Sequence, residues 1–456
     1  MKRITIIIAM IVLMFAAAKP AAAQNRYIVR STGGLSSVLN LCNLLGCQVQ
    51  GGLDGSVGQN FLVTSTGDLL ADIVNGALTL VESLLGIVSV EADHLLPIPQ
   101  PRLSSIPSGL YDTAPVNYYG TTVWHGYAAQ PAAHIIRLQD AQNGFRIGGT
   151  GIVAVVDTGV DVNHPALQAV LLPGYDFTRN QPGASEWLDV TGMQSGYTGT
   201  AAQNQQPGYV QQSTAAVLDQ STAAVLDGSP YVAFGHGTMT AGCVHLVAPK
   251  AKILPLKAFS SNGSGYLSNI VAALYYAVQH QANVVNMSFD LTSSSPSLTQ
   301  AASYANKAGV VLVAAAGNES TSAAVYPAAL NNYVVGVAST TNWDSRSSFS
   351  NFGSTDVWIA APGENIVTFY PGDTYASASG TSFSSPFTAG TVALMLGAKS
   401  SSLNQSQASS ALSHAIHLTP DLNHGRLDVY QAVSAWVNSS GTTSGSGSGT
   451  CFLLCW

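Results

Sequence analysis

The stretch Ile152-Val153-Ala154-Val155-Val156-Asp157-Thr158-Gly159 decides the fold class of this chain. Its apolar residues are mostly β-branched and predict a strand that is buried on both faces, as in parallel sheets covered by helices. The run ends on Asp157, and ligand crevices of open α/β sheets lie outside the carboxyl ends of their strands. Considered alone, Asp157 is explained about equally well as a residue that caps a turn.

Residues 131–437 continue the alternation of buried strands and helices. Short apolar runs predict further parallel strands, and leucine- and alanine-rich stretches between them predict helices. The predicted fold is therefore α/β, with a doubly wound, mostly parallel sheet. The further strands are Val284–Met287, Val310–Ala315 and Tyr333–Val337, and the helices are Leu267–Gln279 and Ser384–Leu396.

Residues 24–100 are predicted to form a smaller unit of their own, in which strands and helices also alternate. Residues 101–130 are rich in Pro, Ser, Gly and Tyr and are expected to be a connector, and residues 438–456 a Ser/Gly linker with a short Cys-containing tail. The strands of the smaller unit are Tyr27–Arg30, Phe61–Val63 and Ile87–Glu91, and its helices are Leu35–Leu45 and Asp68–Leu85.

The first 23 residues are typical of an export signal. Lys2 and Arg3 precede the apolar stretch 4–18, and Ala21-Ala22-Ala23 offers a small-residue cleavage site. The apolar stretch is shorter than the roughly 20 residues that a membrane span needs. We therefore expect residues 1–23 to be removed and the remaining chain to be secreted, with no membrane association.

The five cysteines suit an exported protein. Cys42 and Cys47 lie close together, as do Cys451 and Cys455, so each pair is a candidate disulfide in an oxidising compartment. Cys243 lies in an apolar run and is expected to be a small buried side chain.

Composition excludes two broad classes of protein. Charged residues make up 9% of the 456 residues and hydrophobic residues 46%, which is too apolar for a disordered chain. The formal net charge is −7, and Lys and Arg form no block, which argues against a nucleic-acid-binding surface.

Two further motifs carry side chains that combine chemically with Asp157. The glycines of Gly235-His236-Gly237-Thr238 are expected to leave the imidazole accessible. Gly380-Thr381-Ser382-Phe383-Ser384 precedes a long apolar helix, whose free N–H groups can stabilise an oxyanion. Singly, a structural His or an N-cap Ser is ordinary. Together they form the set that activates a hydroxyl, which needs a base within reach and an acid that orients the base.

The order Asp157, His236, Ser382 resembles that of the subtilisin-like serine proteases, the subtilases. The resemblance covers about residues 131–437. Further segments that carry it are Asn163-His164-Pro165, Asn286-Met287-Ser288, Ala314-Ala315-Ala316-Gly317-Asn318, Ser348-Phe349-Ser350-Asn351 and Ala361-Pro362-Gly363.

The resemblance implies a serine endopeptidase that acts on protein or peptide substrates through an acyl-enzyme. Ser382 is then the nucleophile, His236 the general base, and Asp157 the residue that orients His236. The side chain of Asn318 and the backbone N–H of Ser382 form the oxyanion hole. The residues expected to line the substrate pocket are Ser260, Gly263, Ser264, Gly265, Ser288, Phe289, Ala315, Gly317 and Val325.

The same resemblance implies that residues 24–100 are an α+β, ferredoxin-like propeptide, which assists folding and inhibits the enzyme until it is cleaved. Ser89-Val90-Glu91-Ala92-Asp93-His94 resembles the end of such a propeptide. Self-cleavage is expected between residues 95 and 130. An unrelated accessory domain is the alternative for residues 24–100.

The chain departs from the family pattern at several positions. Ala166 stands where many relatives have an Asp that helps to bind a structural calcium, and a methyl group cannot replace an oxygen ligand. That calcium site is therefore doubtful, although Asp176 and Asp189 are other acids nearby. The chemistry itself requires no cofactor.

Two departures concern the pocket. Val325 stands where some relatives have Gly at the pocket base, which predicts a shallower pocket that prefers smaller side chains. Asp290 stands in place of Gly and would add negative charge to the rim.

Two alternatives from other classes stay open at this point. An inactive relative that serves as a binding protein would be favoured by loss of a catalytic residue, and none is lost. An esterase is disfavoured because the Ser382 motif lacks the Gly-x-Ser-x-Gly pattern and the order of the three residues differs.

Overall fold

The computed structural model describes residues 24–75, 86–97, 107–190, 231 and 233–439. The predicted signal peptide, the second half of the predicted helix 68–85, and the candidate disulfide between Cys451 and Cys455 lie outside these residues. Among the helices of the described ranges, none combines the length and apolar character needed to cross a bilayer.

The described residues contain eighteen strands, which are labelled β1 to β18 in chain order. They are β1 Asn25–Ser31, β2 Gln48–Gly52, β3 Asn60–Ser65, β4 Ile87–Ala92, β5 Leu95–Pro97, β6 Pro115–Tyr118, β7 Thr121–Trp124, β8 Ile152–Asp157, β9 Tyr175–Asp176, β10 Gln181–Pro182, β11 Lys252–Lys257, β12 Ser264–Tyr266, β13 Val284–Met287, β14 Val311–Ala315, β15 Val334–Thr340, β16 Ile359–Pro362, β17 Ile366–Tyr370 and β18 Thr374–Ala378.

The α-helices are labelled in the same way. They are α1 Gly34–Leu45, α2 Leu69–Asn75, α3 His125–Ala128, α4 Pro131–Ile135, α5 Leu138–Phe145, α6 Pro165–Gln168, α7 His236–Val247, α8 Leu267–Gln279, α9 Pro296–Lys307, α10 Thr381–Ala398, α11 Gln405–Leu412 and α12 Val429–Asn438.

The main sheet has eight strands in the order β10-β9-β11-β8-β13-β14-β15-β16. All neighbours in it run parallel except β10 and β9. Alternate residues of each strand enter separate apolar clusters: Val153 and Val155 pack with α7 and α10, whereas Ala154 and Val156 pack with α8 and α9. The predicted doubly wound, mostly parallel α/β sheet is confirmed.

Strand β11 was not predicted, because it contains a proline, and proline has no N–H for the sheet. In the structure, Pro255 pairs with Val155 of β8. The backbone groups of Ile253, Pro255 and Lys257 are directed away from β8, toward the other edge of β11. On that edge the N–H of Ile253 donates to the carbonyl of Val170, and the carbonyl of Lys257 accepts from the N–H of Phe177. Pro255 falls between these two bonds, at a place where no neighbouring strand requires its N–H.

The first unit has its own sheet, in the order β2-β3-β1-β4, and all of its strand pairs are antiparallel. Helices α1 and α2 follow β1 and β3 in the chain. Cys42 and Cys47 form a disulfide at the end of α1, as the spacing predicted, and Cys243 is buried in α7. Strand β2 was missed because Gln48–Gly52 is polar and glycine-rich.

Residues 107–130 differ from the expected connector. They form β6, β7 and α3, and Leu110, Val123 and Tyr127 are buried in the main apolar cluster. Gln130 donates to and accepts from the backbone of Val367, which ties the segment to β17. This segment therefore packs as part of the large domain.

Candidate active site

Asp157 is the last residue of β8 and is buried. Its Oδ1 lies 2.7 Å from His236 Nδ1 and also accepts from the backbone N–H of Thr158 at 2.7 Å. Its Oδ2 accepts from Thr240 Oγ1 at 3.1 Å. These donors hold the carboxylate in one orientation, with one oxygen directed at the imidazole.

His236 is the first residue of α7, and all residues of this helix are buried. Gly235 before it has a left-handed φ of 91°, and a Cβ there would lie 2.2 Å from Tyr370. A Cβ on Gly237 would lie 1.9 Å from the carbonyl oxygen of Gly159. The glycines thus permit a tight turn and close packing around His236, rather than leaving the ring accessible as the sequence suggested.

Ser382 lies in the first turn of α10, where N–H groups have no intrahelical acceptor. The backbone carbonyl of Ser382 has no hydrogen-bond donor within the helix. The residue four positions later is Pro386, which has no N–H to donate, and Ser288 Oγ donates to the Ser382 carbonyl instead at 2.8 Å. The proline inside the helix and Ser288 together fix the turn that carries Ser382.

The hydroxyl of Ser382 donates to the carbonyl of Ser288 at 3.2 Å. Among the described residues, His236 Nε2 has no hydrogen-bond partner although it is buried. The imidazole ring lies beside the residue after the serine, with 5.7 Å between the ring centroids of His236 and Phe383. Catalytic hydrogen bonds are often unformed without substrate, so the structure provides an oriented base with an unused nitrogen next to the serine turn.

Asn318 follows β14, and Thr381, the residue before Ser382, orients its side chain. Its Oδ1 accepts from the N–H and from Oγ1 of Thr381, both at 2.9 Å. Because Oδ1 is engaged by an N–H donor, the position of Nδ2 is fixed. Nδ2 is buried and has no acceptor within the described residues. This is a hydrogen-bond donor that is held in place and left unused.

Glu186 belongs to the site but was missed in the sequence. It is fully buried, and its Oε1 accepts from Thr158 Oγ1 at 2.5 Å and from the N–H of Gly237 at 3.0 Å, while Oε2 accepts from Thr238 Oγ1 at 2.7 Å. Burial raises the pKa of Glu186 to about 7, against the opposing effect of these hydroxyls and of Lys257. Glu186 links the residues that follow Asp157 and His236.

Sequence signals for these supporting residues differ. Thr240 stands four residues after His236, so it lies on the same face of α7, and this spacing could have revealed it. Glu186 has no such signal, because it is 28 residues from Thr158 and 51 from Gly237 and lies in no recognisable pattern.

The segment Ser260–Tyr266 forms a turn and an edge strand. The N–H of Ser260 donates to the Ser264 carbonyl, and Gly263 has a left-handed φ of 81°. A Cβ on Gly265 would lie 2.5 Å from the carbonyl oxygen of Ala258. Strand β12 pairs with β5 of the first unit, so the segment predicted to bind substrate is occupied by the chain itself.

Four further predicted pocket residues divide into two groups. Ser288 and Gly317 lie next to the reactive groups, because Ser288 contacts Ser382 and Gly317 precedes Asn318. Phe289 and Ala315 are buried completely, and the Phe289 ring packs on Phe259 in the core. Neither residue has accessible surface in the structure.

Val325 is 5% exposed, and its N–H donates to Asp356 Oδ1 at 3.1 Å. Asp290 lies nearby and is also largely buried. Burial raises the pKa of Asp290 to about 7, with the charges of Glu319 and Asp356 adding to the effect. The region around the predicted pocket is therefore acidic.

The first unit contacts the large domain through acidic side chains at helix starts. Asp93 Oδ1 accepts from the N–H of Ser268 in the first turn of α8, and Oδ2 accepts from Ser268 Oγ, both at 2.8 Å. Glu91 Oε1 accepts from the N–H of Ser297 in the first turn of α9 at 2.9 Å. Carboxylates suit helix N-termini because of the unpaired N–H groups and the helix dipole.

The acids considered for a calcium site near Ala166 are bound by basic side chains. Ala166 is buried and its N–H is bonded by His164 Nδ1. Asp176 and Asp189, the other acids considered, are paired with Arg179, and Asp189 also binds Lys257 Nζ at 2.6 Å. Within the described ranges, no group of three or more His, Cys, Asp or Glu residues could hold a metal ion.

The sequence of this chain is similar to those of known serine proteinases. A sequence profile of the subtilase family matches residues 148–442. The chain is 34% identical over 283 residues to a thermophilic serine proteinase from Bacillus sp. (strain AK1), a match that covers 62% of this chain and 61% of that protein. It is 33% identical over 304 residues to thermitase from Thermoactinomyces vulgaris, covering 63% of this chain and 89% of thermitase. The chain thus spans less than two thirds of the first relative and most of the second.

A solved structure shares the fold. The crystal structure of a lanthipeptide protease superposes with a TM-score of 0.52 at 23% sequence identity, covering 67% of this chain and 94% of the other. At so low an identity the likeness concerns the fold alone.

Proposed function

The chain belongs to the subtilase family of serine peptidases, and on that premise we propose that it is a secreted serine endopeptidase made as a self-processing zymogen. The observation that supports this most is the pairing of Asp157 with His236 at 2.7 Å, which leaves Nε2 of the imidazole unused beside the turn of Ser382.

The proposed reaction begins with attack of Ser382 Oγ on a peptide carbonyl. His236 Nε2 takes the hydroxyl proton and then gives it to the leaving amine, which releases the first product and leaves an acyl-enzyme. A water molecule, deprotonated by the same imidazole, hydrolyses the ester. Asp157 fixes the tautomer with the proton on Nδ1 and stabilises the imidazolium.

Negative charge that develops on the carbonyl oxygen requires donors held in advance. Asn318 Nδ2 and the N–H of Ser382 fit this role, because the first is fixed through Thr381 and the second lies in the first helical turn. Donors that need no reorganisation during the reaction supply a large part of the stabilisation of such transition states. These steps use groups of the chain alone and require no cofactor.

The first unit fits an inhibitory, ferredoxin-like propeptide. Its strand β5 is antiparallel to β12, with Leu96 opposite Gly265, so it takes the position that an extended substrate would take. Asp93 and Glu91 anchor it on α8 and α9. In this proposal the same interactions assist folding first and block the site afterwards.

Self-processing is tested with Ser382→Ala, which should be isolated with residues 24–100 still attached. Ser406→Ala, which changes a serine on the surface helix α11, is the matched control and should be processed. Trimming of Ser382→Ala at the wild-type position would show that another protease matures the chain. N-terminal sequencing of the wild-type product also tests the signal peptide and secretion.

The peptidase activity is tested by comparing casein with short-chain esters as substrates. An endopeptidase should hydrolyse casein, and Ser382→Ala should abolish this activity. Hydrolysis of the esters without any hydrolysis of casein would favour the esterase alternative, and absence of both activities would favour an inactive relative.

A further inference from the structure

Three acidic side chains from separate segments converge beside the proposed nucleophile. Asp290 stands two residues after Ser288, which contacts Ser382. Glu319 follows Asn318 directly, and Asp356 accepts from the N–H of Val325. Asp290 and Glu319 thus adjoin segments that the sequence predicts to line the pocket for the residue before the cleaved bond, and the charges of Glu319 and Asp356 act on Asp290.

Gly317 marks the point at which two of these carboxylates meet. A Cβ on Gly317 would clash with Asn351 Nδ2, and it would lie 2.7 Å from Glu319 Oε2 and 2.9 Å from Asp290 Oδ2. Its φ of 95° is in the left-handed region that favours glycine, and the missing Cβ leaves room for the Asn351 amide between the two carboxylates. Both oxygens thus face the same space over the residue that precedes the oxyanion-hole asparagine.

Asp290 lacks the partners that a buried carboxylate needs. It is 9% exposed, and its Oδ2 has no hydrogen-bond partner in the part of the chain that the structure describes. Asp356 Oδ2 is likewise buried without a partner there, and Glu319 Oε2 accepts from Asn351 Nδ2 at 2.9 Å. A buried, unpaired carboxylate is costly, so its retention here indicates a partner that arrives from outside.

No cation of the described ranges takes that place. Among those residues, no Lys, Arg or His forms an ion pair with any of the three acids. Outside the described residues, the segment 191–230 contains no Lys, Arg or His in its sequence, whereas the segment 98–106 contains Arg102.

We propose that Asp290, together with Glu319, selects Lys or Arg as the residue before the cleaved bond. The proposal rests on the proposed endopeptidase function and names its substrate class. A basic side chain would pair with Asp290 Oδ2 and Glu319 Oε2, and charge complementarity of this kind gives specificity.

Size and charge act together in this pocket. Val325 is predicted to reduce the volume at the base, which would disfavour bulky aromatic side chains. A Lys chain is thin and unbranched, and its ammonium group has only to reach the acids at the rim. The predicted preference for small side chains follows from the pocket volume alone. Because of the acids, we expect the pocket to accept basic side chains as well.

The competing explanation is that Asp290 is a neutral structural acid. Burial raises its pKa to about 7, so a proton can replace the missing cation. A neutral structural Asp290 would give no preference for charge in the substrate, so the two explanations predict different cleavage profiles.

The test uses the mature enzyme and peptide substrates that differ at one position, which carries Lys, norleucine or Ala. Norleucine has the alkyl chain of Lys without the ammonium group. We expect kcat/KM for Lys to exceed that for norleucine about tenfold or more, and Asp290→Asn to reduce this ratio by about the same factor. Asp140→Asn, at an exposed acid of α5, is the matched control and should retain the wild-type ratio.

Each outcome of this experiment supports or overturns a stated part of the proposal. A wild-type ratio of Lys to norleucine at or below one overturns the inference, whether or not Asp290→Asn folds, and leaves the endopeptidase function standing. A high ratio that persists in folded Asp290→Asn overturns the role of Asp290. If neither the peptides nor casein are cleaved, the proposed function fails and this inference fails with it.

Discussion

Replacing Asp93 by Asn should weaken the binding of the first unit to the large domain. The Asp93 side chain is completely buried and binds Ser268 through both oxygens, at the positively polarised start of α8. The substitution Asp93→Asn removes the charge, and an NH₂ group replaces one of the two acceptors while Arg26 remains beside it.

The magnitude follows from those contacts. A hydrogen bond to a charged group contributes roughly 1.5–3 kcal/mol, and a charge at a helix N-terminus about 0.3–1 kcal/mol. Because an asparagine side chain still accepts one hydrogen bond, we expect a net loss of about 2–3 kcal/mol, which corresponds to a dissociation constant roughly 30- to 150-fold higher.

The assay follows release of the cleaved first unit from the large domain. The processed complex is diluted into a chromogenic peptide substrate, and the delay before full hydrolysis reports dissociation, which is the rate that most interface changes affect. Asp72→Asn, an exposed acid of α2, is the control and should keep the wild-type delay. Equal delays for Asp93→Asn and wild type would refute the anchoring role of Asp93.

Three further predictions concern the site itself. Asn318→Leu should lower kcat by about 10²–10³, the range known for an oxyanion-hole donor in this family, with a small change in KM; an unchanged kcat would remove Asn318 from the mechanism. Val325→Gly should extend cleavage toward aromatic residues, and an unaltered peptide-library profile would refute the shallow pocket. Burial raises the pKa of Glu186 from 4.5 to about 7 in the folded state. Between these two pH values the folded protein keeps a proton on Glu186 that the unfolded chain has lost. The contribution of Glu186 to the stability of the wild-type protein therefore falls as the pH rises from about 4.5 to 7. The thermal stability of Glu186→Gln relative to wild type should therefore rise across that range, and a pH-independent difference would contradict the shift.

The sequence reveals those parts of the site in which chemistry and local structure coincide. Asp157, His236 and Ser382 each stand where a strand ends or a helix begins, within short motifs, and the structure brings Asp157 and His236 into contact. Asn318 follows from the family resemblance, and Thr381 explains why its amide is fixed.

Other features depend on contacts that no local pattern records. Glu186 supports the turns after Asp157 and His236 from a distant loop, and the partnership of Ser288 with the Ser382 carbonyl depends on the missing N–H of Pro386. Strand β11 contains Pro255, which is tolerated only because of what its neighbours leave unpaired. These are tertiary effects that override residue preferences.

The nucleophilic serine is tested most directly by mass spectrometry of the mature enzyme after reaction with a fluorophosphonate. The account predicts one adduct, on the peptide that contains Ser382, and its loss in His236→Ala. Absence of the adduct from the wild-type enzyme, or its undiminished formation in folded His236→Ala, would contradict activation of Ser382 by the imidazole.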